Sequence, residues 1–403
     1  MDKELIKKII KSIDYPLMIV IFLLCIFGLI MVYSSSMISA VIRYGVSSDY
    51  FYQRQKLFLI VAAIVYLIAL IVPYKALGLK KPVKIIFWAM PIALMLVAVI
   101  GHTANNATSW FKLGFFNIQP AEFVKIGLII YLASVYANKQ KSSMQSSKGK
   151  LFPVYYTLFI CLLVTIQPDY GTAGIIFLIA VCIVLSSGIR FGLLVKQFLF
   201  LVFLAVVTSP VWYLLMGDEI FSEERKSRIS GFLDPFKYAD DEGFQLVNSY
   251  LAIGSGGLKG LGLGESIQKY GYLPESHTDF IMAIIAEELG LFGVSFVLFL
   301  LTYIVLKGLV IARKCRDPFG SLLAIGISSM IGIQTCINLG GLTGLIPITG
   351  VPLPLISYGG SSLLLLMLSL GILSNISMFV KYEQLYKEPS PKVEQINNRG
   401  LTL

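Results

Sequence analysis

The residues best suited to chemistry gather in one stretch, 252–290, AIGSGGLKGLGLGESIQKYGYLPESHTDFIMAIIAEELG. Glu275, His277 and Asp279 fall together there, just before the apolar run that begins at Phe280. Ionisable groups at a membrane boundary are candidates for function, because keeping a charge near hydrocarbon is costly. Seven glycines between 254 and 271 exclude a stable helix and let backbone pass close to a ligand, so the stretch reads as the lip of an active site. Asp279 has two readings. Burial in a dry cavity would raise its pKa toward the value a general base needs, whereas capping the following helix would place it on exposed N–H groups and lower it. No motif places a nucleophilic serine or cysteine beside His277 and Asp279, so a hydrolase triad is not indicated. GSGGLKG is neither a dinucleotide fingerprint nor a Walker loop.

The elements that must position these groups are membrane helices. The chain has 403 residues, 56% hydrophobic and only 14% charged, with a mean hydropathy of +0.79; it has too little polar surface to cover a soluble globule of that size. Its apolar runs are long enough to span as helices and too long for barrel strands. Ten spans are expected, near 16–33, 56–73, 83–101, 121–137, 153–167, 172–188, 193–215, 280–306, 320–341 and 357–380. The first is too long for a usual signal-peptide core and is read as uncleaved. With ten spans both termini share a side, and that side carries 22 of the 33 Lys and Arg residues; the positive-inside rule makes it cytoplasmic. The net charge of +10 is thereby an orientation signal, and no nucleic-acid partner is implied. Residues 1–14 form a cytoplasmic segment, 15–382 an all-α membrane domain whose large extracytoplasmic loop is 216–279, and 383–403 a polar, disordered cytoplasmic tail. Within that loop Phe244, Val247 and Leu251 have the spacing of an amphipathic helix lying on the membrane surface. The five cysteines show no disulfide or zinc spacing.

Other outer-face segments carry polar groups of their own. Gln119-Pro120 ends an extended segment that includes Trp110, and Glu122 and Lys125 follow at i and i+3 on one helix face, as a local ion pair or as a pair lining a substrate site. Trp110 equally suits an aromatic interfacial belt. Asp169, in the tight turn QPDYG, is a helix cap or a site residue. GLIPITGVPLPLISYGGSS, with three prolines and no charge, cannot be a regular helix; it is expected to form a re-entrant wall opposite Asp279. No repeat or inverted half is evident, which argues against a rocking carrier.

MVYSSS at 31–36, WFKLGFFNIQPAEFVK at 110–125, QPDYGTA at 167–173, RISGFLDPF at 228–236, GFQLVNSYLAIGSGGLKGLGLG at 243–264, YLPESHTDFIMAIIAEELG at 272–290 and PITGVPLPLISYGGSS at 347–362 run in the order found in one family. The chain resembles the FtsW/RodA group, the SEDS proteins, and AEELG and PLISYGGSS are more similar to the division member FtsW than to the elongation member RodA. Asn106 and Ser109 depart from the Gly and Arg often found before the tryptophan. The resemblance implies a ten-helix peptidoglycan glycosyltransferase that polymerises lipid II at the outer face of the bacterial cytoplasmic membrane during septum synthesis. It also implies Asp279 as general base, with Trp110, Glu122, Lys125, Asp169 and Glu275 lining or supporting the cavity. Gln119, Lys269, His277, Ser357, Gly359 and Gly360 are counted with them as candidate substrate contacts. The implied partners are a single-span class B penicillin-binding transpeptidase and other division proteins. The alternatives are a lipid II translocase or a non-catalytic scaffold of the division machinery. Such a reaction needs one base and no acid, since the undecaprenyl diphosphate leaves unprotonated. Its charge would be met by Lys269, Lys259, Lys125 or a divalent cation, Mg or Mn.

Overall fold

The computed structural model describes residues 3–104, 107–113, 116–141, 148–189 and 230–386, with isolated positions at 192, 196 and 227. Among these the chain is helical apart from one small sheet. The helices are α1 (Lys3–Lys11), α2 (Tyr15–Ile42), α3 (Tyr50–Ile71), α4 (Lys80–Ile100), α5 (Pro120–Lys141), α6 (Lys148–Thr165), α7 (Tyr170–Ser186), α8 (Phe244–Gly256), α9 (Ile281–Lys314), α10 (Pro318–Leu342) and α11 (Gly360–Tyr386). α2, α3, α4, α5, α9, α10 and α11 are long and apolar enough to cross a membrane, and α6 and α7 are shorter apolar helices. Nine of the ten expected spans thus have a described helix; the one at 193–215, part of the loop after it and the tail beyond 386 lie outside the described residues. The extended segment before α5 is a three-stranded antiparallel sheet, β1 (His102–Ala104), β2 (Ala107–Leu113) and β3 (Phe116–Ile118).

α2 and α3 each bury one stripe and leave another for lipid, whereas α5 is buried on nearly all sides. On α2, Leu17, Ile21 and Leu24 are buried, whereas Ile19, Leu23, Ile26 and Ile30 are exposed. On α3 the buried stripe is Phe58, Ala62, Tyr66 and Ala69, and Ile60, Ile64 and Ile71 face outward. Large branched side chains can point outward at no cost because the solvent there is hydrocarbon. Polar ties close the bundle at one end. Asp14 pairs with Lys307 at 2.9 Å and accepts a hydrogen bond from Ser377, while Asn375 donates to the Leu70 carbonyl and accepts from the Tyr74 amide.

One expectation is corrected. The eighth span does not run from 280 to 306. At 34 residues α9 would be about 51 Å long at 1.5 Å per residue, well beyond the roughly 30 Å hydrocarbon core. It is broken at Gly290 (φ 62°, ψ −157°). The residues before the break are buried within the protein, and side chains exposed to lipid begin at Leu291, Phe292 and Phe299. The helix of the large loop turns its face of small residues toward the protein. Leu246, Ser249, Ala252 and Gly256 of α8 are buried and Leu251 is exposed; the helix packs along the first half of α9, and Ser249 donates to the Leu342 carbonyl. Small residues permit that close packing.

Candidate functional site

Asp279 lies in the turn that leads into α9. The helix starts at Ile281 with Phe280 in the capping position, and no side chain caps it; the capping role considered for Asp279 is therefore absent. Asp279 lines a small, half-open pocket together with Phe280, Asn338, Leu342, Thr349 and Val351, among others. Among the described residues no donor or cation reaches its carboxylate. Burial, with Glu275 adding negative potential, raises its pKa to about 7, so near neutrality the group is poised between acid and base.

The opposite wall is the irregular segment 343–359, as its prolines and lack of charge predict. Its hold on the Asp279 turn is regular in one respect: three successive carbonyls each receive one hydrogen bond. The Tyr358 amide donates to the His277 carbonyl at 2.9 Å, Ser357 Oγ to that of Thr278 at 2.6 Å, and Asn338 Nδ2 to that of Asp279 at 2.7 Å. Asn338 also donates to the Val351 carbonyl at 2.8 Å. Ser357 accepts the Leu353 amide in turn. Gln55 of α3 donates to the Ser357 carbonyl and accepts from the Gly359 amide. Gly360 packs against the Phe58 ring. Ser357, Gly359 and Gly360 are thus bound up in holding the wall.

Glu275 occupies a left-handed conformation (φ 56°), and its carboxylate accepts from Thr278 Oγ1 at 2.7 Å, tightening the turn. His277 is buried among Phe51, Tyr358 and Tyr44, its ring centroid 4.3 Å from that of Phe51. Burial pushes its pKa down to about 4, so it is neutral, and its Nδ1 has no hydrogen-bond partner.

Two glycines of the stretch, Gly256 and Gly260, come close to backbone. The break at Gly290 releases the carbonyls of Glu287 and Glu288, which accept the Leu261 and Gly262 amides, while the Leu291 amide donates to the Gly257 carbonyl. A Cβ at Gly256 would collide with the Ala286 carbonyl, and one at Gly260 with that of Glu288. The two glutamates then bolt the rest of the loop down. Glu287 accepts the Ile267 and Gln268 amides and the Ser266 hydroxyl. Glu288 pairs with Lys269 at 2.9 Å, both fully buried, and accepts from Ser34 of α2. The remaining Lys269 donors reach the Gly264 carbonyl and Ser34. A lysine engaged in this way is a structural cation, which removes Lys269 from the candidates for a bound diphosphate.

The residues of the other outer segments pair among themselves. Glu122 and Lys125 form a buried ion pair at 2.7 Å. Asp169 caps α7 by accepting the Thr172 amide and also accepts from Gln119 at 2.8 Å. Gly171 brings that turn against the Thr349 carbonyl, so the Gln119–Asp169 pair backs the wall that Asp279 faces. Trp110 is half-buried on β2, opposite His102. Lys259 is exposed. Sequence reading missed Asn338, Glu287, Glu288 and Ser34 as individuals. The available signal was a polar side chain placed in, or next to, an apolar helix.

Fold and site together define a multi-pass membrane protein with a carboxylate-bearing pocket walled by irregular backbone at one end of the bundle. The family model described as Cell cycle protein, FTSW_RODA_SPOVE, matches residues 15–382; the chain belongs to this family. It is 58% identical over 387 residues, 96% of each chain, to the "Probable peptidoglycan glycosyltransferase FtsW" of Bacillus subtilis strain 168. It is 36% identical, over 92% of this chain and 98% of the other, to the "Stage V sporulation protein E" of the same organism. Among solved structures it is similar, at TM-score 0.73 and 24% identity over 93% of this chain and 99% of the other, to a chain of a peptidoglycan synthase complex in which polymerisation and crosslinking are coordinated.

Proposed function

We propose that this protein is a peptidoglycan glycosyltransferase that polymerises lipid II at the outer face of the cytoplasmic membrane, with Asp279 as its general base. The observation that carries the reading is the state of that carboxylate: it lines a pocket, has no partner among the described residues, and its pKa is raised to about 7. A base of that strength can take the proton of an acceptor hydroxyl as it attacks an anomeric carbon. No second carboxylic acid is needed, because a diphosphate departs without protonation. Membership of the family and the name of the B. subtilis relative support the reaction class.

In this reading both termini are cytoplasmic, the loop containing α8 is outside, and the enzyme works at the septum beside a class B penicillin-binding transpeptidase and other division proteins. The peptidoglycan synthase complex that shares its fold makes such a partner reasonable. Among the described residues no cluster of three or more His, Cys, Asp or Glu side chains could hold a metal ion. Charge on the diphosphate would be met by Lys259, Lys125 or a divalent cation, Mg or Mn.

The test is polymer formation from purified lipid II in detergent, where transport has no meaning. Asp279→Asn should lower the rate by about 10²- to 10⁴-fold with folding intact. Equal polymer from both proteins would remove Asp279 from the chemistry. No polymer from folded, partner-bound wild type would favour a translocase or a scaffold.

A further inference from the structure

We infer that Asn338 and Ser357 are positioning residues, acting on the reaction through the backbone of the turn that carries Asp279, at the Asp279 and Thr278 carbonyls. The inference rests on Asp279 being the base and goes beyond it to what holds the base in place. The carbonyls of residues 277, 278 and 279 are gripped in succession by the Tyr358 amide, Ser357 Oγ and Asn338 Nδ2. Two of the three donors are side chains. The third, a backbone amide, comes from the residue after Ser357, so the three act as one clamp.

The clamp replaces something that is missing. α9 begins without a side-chain cap, and nothing among the described residues bonds the Asp279 carboxylate, so its position depends on its backbone. Asn338 is well placed to fix it. One amide nitrogen bridges the Asp279 carbonyl and the Val351 carbonyl, at 2.7 and 2.8 Å, and so sets the separation of the two sides of the pocket. The bridge has a cost: Asn338 Oδ1 is buried with no partner among the described residues. A buried acceptor left unsatisfied weakens a fold, so an asparagine chosen for stability alone would be a poor choice. Its nitrogen is what the site uses. Ser357 is tied on its far side by the Leu353 amide, which aims its hydroxyl proton at the Thr278 carbonyl.

A displaced base loses rate without losing substrate. An error of about 1 Å in a reacting group can cost around 10²-fold, whereas a substrate held elsewhere keeps its KM. Loosening the turn also lets water reach the carboxylate and lowers its pKa toward the ordinary carboxylate range.

The experiment compares wild type, Asn338→Leu, Ser357→Ala, Ser357→Thr and Asp279→Asn as full-length proteins in lipid II polymerisation, read as kcat, KM and the pH midpoint of kcat. Asn338→Leu keeps the volume and removes the donor. It and Ser357→Ala should each lower kcat by about 10- to 100-fold with KM within about threefold, move the pH midpoint down, and speed amide hydrogen exchange over 278–284. Ser357→Thr keeps the hydroxyl and should restore most of kcat. Should Asn338→Leu fail to fold, the single-atom change Ser357→Ala, judged against Ser357→Thr, still decides. Unchanged kcat and midpoint in a folded Ser357→Ala protein would overturn the inference, as would equal loss in Ser357→Ala and Ser357→Thr. Full activity in Asp279→Asn would instead remove the base on which the clamp acts, a separate result.

Discussion

The Asp279 carboxylate and the Gly350 backbone confront each other across the pocket: a Cβ built on Gly350 would lie 3.6 Å from Asp279 Oδ2, with nothing else within 4 Å. Gly350 also has φ +69°, a conformation that costs an L-residue about 1–2 kcal/mol. Gly350→Ala should therefore destabilise the protein by about that amount and set a methyl group in contact with the base. We expect polymerisation to fall by at least about tenfold, a barrier change near 1.4 kcal/mol. Thermal unfolding and initial rates on the same preparation check it, and an unaffected rate would mean that substrate does not approach Asp279 from that side.

Activity should rise with pH through about 7, the value to which burial and Glu275 raise Asp279, because only the ionised form accepts a proton. Below that midpoint the rate should fall about tenfold per pH unit. Stability follows a different course. Asp279 binds its proton more tightly when folded, so its contribution is favourable at low pH and is lost as pH rises from about 4 to about 7. His277, pushed down to about 4, binds its proton less tightly when folded, so its contribution is lost as pH falls from 6.5 toward 4. Asp279→Asn should remove the first slope and His277→Phe the second in melting curves taken across that range.

Lys269→Met should cost about 3–5 kcal/mol, because it strands the buried Glu288 carboxylate. Lys269→Met combined with Glu288→Met should recover much of that loss, which a double-mutant cycle would show as strong coupling. A lysine that served a substrate phosphate would give the opposite pattern, with stability retained and KM raised. Chemical unfolding of the four proteins separates the two.

Orientation can be tested at two exposed lysines. In a cysteine-free background Lys259→Cys should react with a membrane-impermeant reagent in intact cells, and Lys75→Cys only after lysis. The reverse pattern would invert the bundle.

How far the sequence alone could go is seen at particular residues. The spans were legible because a lipid-facing helix must be apolar over a fixed length, and the wall at 343–359 was legible because three prolines without charge leave it little else to be. Asp279 stood out for the same electrostatic reason that makes its burial costly. In the glycine-rich stretch, glycine permits close approach without naming what approaches: Gly256 and Gly260 admit the backbone of α9. Lys269 looked like an anion site for want of a visible partner, since Glu288 and Ser34 come near it only in three dimensions. The break at Gly290 is hidden by an unbroken apolar pattern on both sides of it.

The clamp on Asp279 has a consequence for synthesis. The Thr278 and Asp279 carbonyls leave the ribosome 79 and 59 residues before the side chains that will hold them, an interval on the order of 3 to 16 seconds at ordinary elongation rates. Throughout it the carboxylate is already in place in the nascent chain, but the wall it faces has yet to be translated. A product of interrupted translation that ends after α10 therefore carries its base without the wall it faces, and translation of 343–359 is what encloses the carboxylate.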